Sequence, residues 1–351
     1  VDYLNAIEQQ QQFKYNAILT DGIRVCYFSF VNGEVRHTTL SSISNNDIDI
    51  IIKAILANNT KRFVPENILR DFSINYFAPS ISKNVALSLY ASLKNNRTEK
   101  TLMLFEEWQN LMHLSLDDNG KGNDIQKRRT DLTKIFSDTI DDTESEYSAL
   151  YALQTTYAII VKLIACKVID NIEYSDHARN YYDLSSATSL EMQKFFEKME
   201  DGYSYRNNNI INFLEGDFFS WYADKHQWND QFYQNILDVI KCIDQYSAFS
   251  LNVYYEPIDI FKDLYMSIIP KSIRHSMGEY FTPEWLADFV VAKSIDIIDN
   301  KSSWKAIDPC CGSGIFIIAL IKKIVGEINI NTMTAAQKSA LKNDILSRVY
   351  G

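Results

Sequence analysis

The chain has 351 residues, with 35 Lys/Arg against 45 Asp/Glu and a formal net charge of −10, which excludes a uniformly basic nucleic-acid binder. Eleven glycines and six prolines make roughly 5% of the chain, against about 12% in average usage. So few turn-formers exclude a many-stranded sandwich or barrel, while 46% hydrophobic and 23% charged residues exclude disorder.

The Gln-rich opening through Tyr15 is helix-compatible. Gln11 and Tyr15 stand as Gln-x-x-x-Tyr, a spacing found in some nucleases, against the plainer reading of a solvated helix. Ala17 to Thr20, Ile23 to Phe30 and Glu34 to Thr39 read as strands, because Asp21-Gly22 and Asn32-Gly33 populate positive-φ turns cheaply and the residues between favour extended backbone. From Asn46 the pattern turns helical, with Ile48, Ile51, Ile52 and Ile55 at i, i+3, i+4, i+7. Further helices are predicted at Ser82–Lys94, Glu99–Leu114, Asp124–Asp138, Thr143–Ile169, Ser189–Glu200, Asn207–Asp224, Asn229–Tyr246 and Ile258–Ser267, with a loop at 117–123. Thr143 and Glu146 are spaced as a capping box opening the longest of them. Its apolar stretch from Tyr151 to Ile169 is interrupted by Gln154, Lys162 and Lys167, so it reads as a buried helix of a soluble protein and no membrane partner is expected.

After Pro270 the pattern changes again. Thr282-Pro283 places a preferred N-cap before the residue best suited to a first helical position, and Leu286, Phe289, Val290 and Ile297 give that helix an apolar stripe. Trp304 to Ile307 reads as a short buried strand, Asp308 to Gly314 as a turn, and Ile315 to Val325 as a helix ended by Gly326. Arg348 to Gly351 reads as the start of a further strand. The fold class is therefore mainly α with α/β: a short β region at 1–45, a large helical domain at 46–270, and at 271–351 the start of a Rossmann-like domain. Residues 271–351 carry ten Lys/Arg against eight Asp/Glu, so the acidity lies upstream.

Asp308-Pro309-Cys310-Cys311-Gly312-Ser313-Gly314 carries the strongest chemical signal. Glycines between a strand and a helix let backbone approach a ligand, and the helix N-terminus offers free N–H groups. The turn lacks the third glycine of a dinucleotide fingerprint and the Gly-Lys-Ser/Thr of a phosphate loop, and Asp308 suits an ammonium or sulfonium cation. Gly278-Glu279-Tyr280-Phe281-Thr282-Pro283 ends 25 residues before Asp308. Each segment alone has a plain structural reading, a tight connection or a capped helix start. The five cysteines have no CxxC spacing, so neither zinc nor a disulfide framework is expected, and a reducing cytoplasm suits them. His37, His113, His177, His226 and His275 show no metal spacing. Lys61-Arg62, Lys127-Arg128-Arg129 and Lys322-Lys323 are short basic runs, read as solvated faces or as contacts to a DNA backbone.

The two segments, in this order and spacing, resemble the first two motifs of the γ-class adenine-N6 DNA methyltransferases. The resemblance implies S-adenosylmethionine as cofactor, with Tyr280, Phe281, Thr282 and Pro283 at its methionine end and Asp308, Pro309, Cys310, Gly312, Ser313 and Gly314 forming its cradle. Upstream, Tyr255, Ile260, Tyr265, Ile269, Pro270 and Arg274 are similar to the helical approach to the motif in the modification parts of type I and type IIG restriction enzymes, and Trp108, Tyr157 to Lys167 and Leu214 to Trp221 to the helical connector of single-chain type IIG-like enzymes. Residues 1–45 then resemble the last strands of a nuclease domain, without its Asp and Glu-x-Lys centre. The resemblance implies methyl transfer to adenine in double-stranded DNA. Two variants stay open: a modification subunit with a separate specificity subunit, and a scaffold without catalysis. No Pro-Pro dipeptide occurs, so the family's catalytic Asn-Pro-Pro-Tyr/Phe loop is missing and no catalytic residue is assigned. With Val1 in place of Met, no signal peptide, and no acidic residue for the cofactor ribose after Arg348, the expectation is a fragment that is inactive alone.

Overall fold

Helix α1 (Asp2–Gln11) precedes a sheet of β1 (Asn16–Thr20), β2 (Arg24–Val31), β3 (Glu34–His37) and β4 (Ser41–Ser42), all pairing antiparallel, in the order β1-β2-β3 with β4 also on β2. The computed structural model describes residues 2–11, 15–31, 34–45, 47–48, 51, 61–62, 64–74, 80–116, 122–172, 181–206, 210, 218–247, 259–298, 304–326, 328 and 333–351. The first turn forms because both Ile23 and Arg24 donate their N–H groups to Asp21 Oδ1, at 3.0 and 2.6 Å. The Asn32-Gly33 turn lies outside the described residues, as do Ile52, Ile55 and His177. Tyr15 does not share a helix with Gln11: α1 ends at Gln11, and Tyr15 is buried with its N–H donating to Glu8 Oε1 at 2.9 Å.

Contacts divide the chain into two units, residues 1–249 with 264–279 and residues 250–263 with 280–351. Unit 1 holds the sheet and a helical body. In order the body comprises β5 (Lys61–Arg62), α2 (Pro65–Phe72), α3 (Ile81–Asn95), α4 (Glu99–Ser115), α5 (Gly122–Phe136), α6 (Thr143–Ile172), α7 (Ser189–Glu200), α8 (Tyr203–Arg206), α9 (Asp230–Asp244) and β6 (Tyr246–Ser247), the last parallel to β5. Helix α6 is its axis, packed by α3, α5 and α9. By length and composition it could cross a membrane, but most of it is buried inside the unit. Leu150, Leu153, Ile159 and Leu163 have no exposed surface, and the buried Lys162 reaches Glu200 at 2.6 Å. Trp108 and Trp221, two of the connector-like residues, are core: both indoles lie against Tyr151, with ring centroids at 4.9 and 5.8 Å.

Three expectations for this body are corrected. The Asn207–Asp224 helix is not formed in its described part, where Phe218–Ala223 makes a 3₁₀ turn that buries Trp221 and Tyr222. Asp142, not Thr143, caps α6, its Oδ1 accepting the Ser145 N–H at 2.7 Å. Glu146 is thereby free for a different task. It takes Arg128 Nε on one carboxylate oxygen and Arg129 Nε on the other, each at 2.8 Å, with Arg128 and Glu146 both buried. In the Lys127-Arg128-Arg129 run, Lys127 is exposed as a solvated face requires, whereas Arg128 is buried and Arg129 half-buried in this ion cluster. Lys61 is likewise buried and paired with Asp71 at 2.7 Å. The N-terminal end of helix α10 (Ile260–Ile268) belongs to unit 2 and the rest to unit 1, which also takes α11 (Lys271–Ser276).

Unit 2 runs through α12 (Glu284–Asp296), β7 (Ala306–Ile307), α13 (Ile315–Val325), α14 (Ala335–Arg348) and β8 (Val349–Tyr350), and β7 and β8 pair parallel. Its core is Ala287, Val291, Ile295, Trp304, Ile315, Ala319 and Leu320. The buried face of α12 is thus Ala287, Val291 and Ile295, whereas Phe289, Val290 and Ile297 of the predicted stripe are exposed. Apolar residues surround this helix, so periodicity alone does not select the face. Its start also shifts by one residue: Pro283 is the N-cap position, and no side chain caps it. The strand before the turn is shorter than expected and Ile307 at its end is 71% exposed, although Trp304 is buried. Helix α14 was not foreseen; Thr334 and Gln337 open it with a reciprocal capping box.

Candidate functional site

The turn from Asp308 to Gly314 is fixed at both ends. At its entry the Asp308 N–H donates to Tyr350 O of β8 at 2.9 Å, and the Asp308 side chain folds back to accept the Cys310 N–H at 3.1 Å. At its exit the Gly314 N–H donates to Cys311 O at 2.7 Å, and Gly314 O accepts the first α13 bond, from Ile318 at 2.8 Å. Gly312 at φ +54° and Gly314 at φ +87° lie in the left-handed region, which glycine enters without the Cβ penalty of other residues. A Cβ at Gly312 would meet nothing within 4 Å among the described residues, which leave the space over that backbone open.

No side chain caps α13. Its first-turn N–H groups have no acceptor within the helix, which makes that end attractive to an anionic group. Two carboxylates border the same turn. Asp308 is one; the other is Asp259, 9% exposed, whose Oδ2 accepts the Ser313 hydroxyl at 2.6 Å while Oδ1 accepts the Lys262 N–H at 3.0 Å. The turn therefore combines uncapped N–H donors with two carboxylate acceptors, a set suited to an α-amino acid. Cys310 is exposed and Cys311 half-buried, both as free thiols.

The second predicted segment enters α12. Tyr280 is 74% exposed, Pro283 is exposed, and Phe281 and Thr282 are half-buried. The next residue, Glu284, forms an ion pair with Lys322 in the last turn of α13. At 1.5 Å per residue, Lys322 stands about 12 Å along α13 from the turn's exit. All ten predicted residues thus fall in unit 2, with the turn at the start of α13 and the loop leading to a residue paired with its far half.

Just before that loop, in unit 1, Glu279 donates its N–H to Arg274 O at 2.8 Å and accepts the Tyr265 hydroxyl on Oε1 at 3.0 Å. Its Oε2 is buried without a partner among the described residues. Burial pushes the Glu279 carboxyl above its ordinary range, with the Tyr265 hydrogen bond and the Arg274 charge opposing. Burial and the adjacent Glu279 likewise raise the Tyr265 phenol, whose ring meets Tyr157 edge-on at 5.0 Å.

Residues 256–340 match the family described as N-6 DNA Methylase. This stretch contains both predicted segments and Asp259, and the match supports an adenine-N6 DNA methyltransferase family, whose members depend on S-adenosylmethionine. Neither a curated protein nor a solved structure matches the chain. The sequence reading missed Asp259 and the Tyr265–Glu279 pair. For Asp259 the available signal was an N-cap residue three positions before Lys262 at the start of a helix.

Proposed function

We propose that this chain carries the cofactor-binding part of an adenine-N6 DNA methyltransferase of the γ class, within a cytoplasmic restriction-modification or phage-defence enzyme of the type IIG kind. The observation that carries the reading is the turn itself, which combines space left open over Gly312 by the described residues with the uncapped N–H groups of α13 and the Asp308 and Asp259 carboxylates. The α13 amides would receive the carboxylate of S-adenosylmethionine's amino-acid end, and the acidic border its ammonium group. Tyr280, Phe281, Thr282 and Pro283 would line the same end from the loop before α12. When bound, the cofactor supplies an electrophilic methyl group for the exocyclic amine of an adenine swung out of double-stranded DNA. The residues of this chain bind and orient; the Rossmann-like reading of unit 2 rests on its β7, α13, α14, β8 order and the parallel strand pair.

The experiment is transfer of tritiated methyl from S-adenosylmethionine to duplex DNA by the full-length protein, with the product identified as N6-methyladenine. Binding of the cofactor without transfer to any DNA would refute the enzyme reading. That outcome would favour a DNA-contact scaffold.

A further inference from the structure

We infer that Asp259 is a positioning residue that sets the hydrogen-bond polarity of Ser313 and so makes the turn select a cationic donor. The inference rests on the cofactor reading of the turn. A serine hydroxyl has one proton to donate and two lone pairs to accept with. Here the proton is committed to Asp259 Oδ2 at 2.6 Å, the short, charge-assisted kind of bond. Asp259 cannot swing away cheaply, because its other oxygen caps α10 through the Lys262 N–H and the residue is 9% exposed. Ser313 Oγ therefore offers only lone pairs to a ligand in the turn. An ammonium group is stabilised by such an oxygen; a phosphate or carboxylate oxygen is repelled by it. The helix end alone would favour any anion. The Asp259–Ser313 pair is what adds the demand for a positive group.

The N-cap makes the asparagine variant informative. In Asp259→Asn the side-chain oxygen is needed by the Lys262 N–H, so the amide NH2 occupies the place of Oδ2 and donates to Ser313 Oγ. The serine proton is released and turned towards the ligand, reversing the polarity, while asparagine keeps the cap. The test compares wild type, Asp259→Asn, Ser313→Ala and the double variant in the full-length protein. Two ligands are titrated: S-adenosylmethionine, and 5′-methylthioadenosine, which lacks the amino-acid end. The expected result is an affinity for S-adenosylmethionine lowered about ten-fold or more by Asp259→Asn, the size of one misdirected hydrogen bond to a charged group. Affinity for 5′-methylthioadenosine and the unfolding midpoint should stay unchanged, and Asp259→Asn should have no further effect once Ser313 is alanine.

Equal weakening of both ligands, or a full effect of Asp259→Asn in the Ser313→Ala background, would reduce Asp259 to a helix cap and overturn the inference while leaving the cofactor reading intact. Unchanged affinity in Asp259→Asn would overturn it likewise. A wild-type protein that binds neither ligand would remove the cofactor reading, and this inference with it. If Asp259→Asn fails to fold, Ser313→Ala decides: its loss must be confined to S-adenosylmethionine.

Discussion

Replacing Gly312 by alanine separates a ligand cradle from an ordinary tight turn. In the protein alone the added methyl meets no atom of the described residues within 4 Å. What remains is the left-handed backbone at φ +54°, which costs a non-glycine residue roughly 1–2 kcal/mol. Part of this is offset by the reduced freedom of the unfolded chain, about 0.4–1 kcal/mol. The net loss of stability should be about 1 kcal/mol. Binding should suffer more, because the same methyl then stands where the cofactor approaches the backbone. Overpacking of a closely fitted site costs typically about 1–3 kcal/mol, or roughly 5- to 150-fold in affinity. Urea unfolding gives the first number and equilibrium dialysis with labelled S-adenosylmethionine the second. Gly314→Ala is the comparison: its Cβ would lie 3.9 Å from Ile317 Cβ, ordinary contact, with similar backbone strain at φ +87°. If Gly312→Ala binds the cofactor as wild type does, the space over Gly312 holds no ligand and the reasoning fails. A stability loss of several kcal/mol would show that the space is not open.

Glu146→Ala should cost about 3–5 kcal/mol, since it removes the carboxylate that pairs with the buried Arg128 guanidinium. Denaturant unfolding of unit 1 measures this, and a loss below about 1 kcal/mol would mean that water or another acceptor reaches Arg128. Glu279 predicts a pH dependence. Its folded-state affinity for a proton is raised above the ordinary carboxyl value of 4.5, so the stability it contributes is complete below that pH and is lost as pH rises through the raised value. Glu279→Gln cannot ionise; relative to wild type its unfolding midpoint should improve from pH 4 to pH 7, and a constant difference would contradict the burial of the charge.

The helical body was readable because its elements are long and end in strong local signals. The Asn229 cap of α9 holds the Phe232 N–H at 3.0 Å, where the sequence predicts a helix start. The turn and its two glycines were readable for the same reason, since only local backbone geometry is involved. Errors arose where tertiary packing chooses between equivalent local options. Glu146 satisfies the spacing of a capping box with Thr143, yet two arginines on the neighbouring helix offer a buried carboxylate more than an N-terminal N–H does. The buried face of α12 depends on what α13 presents to it, and short-range spacing carries no record of that. Asp259 and Ser313 are joined across a long stretch of chain, so their pairing had no signature in either motif.

The parallel pairing of Ala306 with Val349 and Ile307 with Tyr350 has a kinetic consequence. Each β1–β2 contact closes a short loop, but β7 can meet β8 only after the chain has passed through α13 and α14, and that closure is rewarded by a strand of two residues. It should be among the last events in folding and among the first to reverse. Because the Asp308 N–H is held by Tyr350 O, each such opening unhooks the entry of the turn while the helices stay formed. Amide exchange at Asp308 should then be faster than within α13, and a bound ligand that grips the turn should slow it.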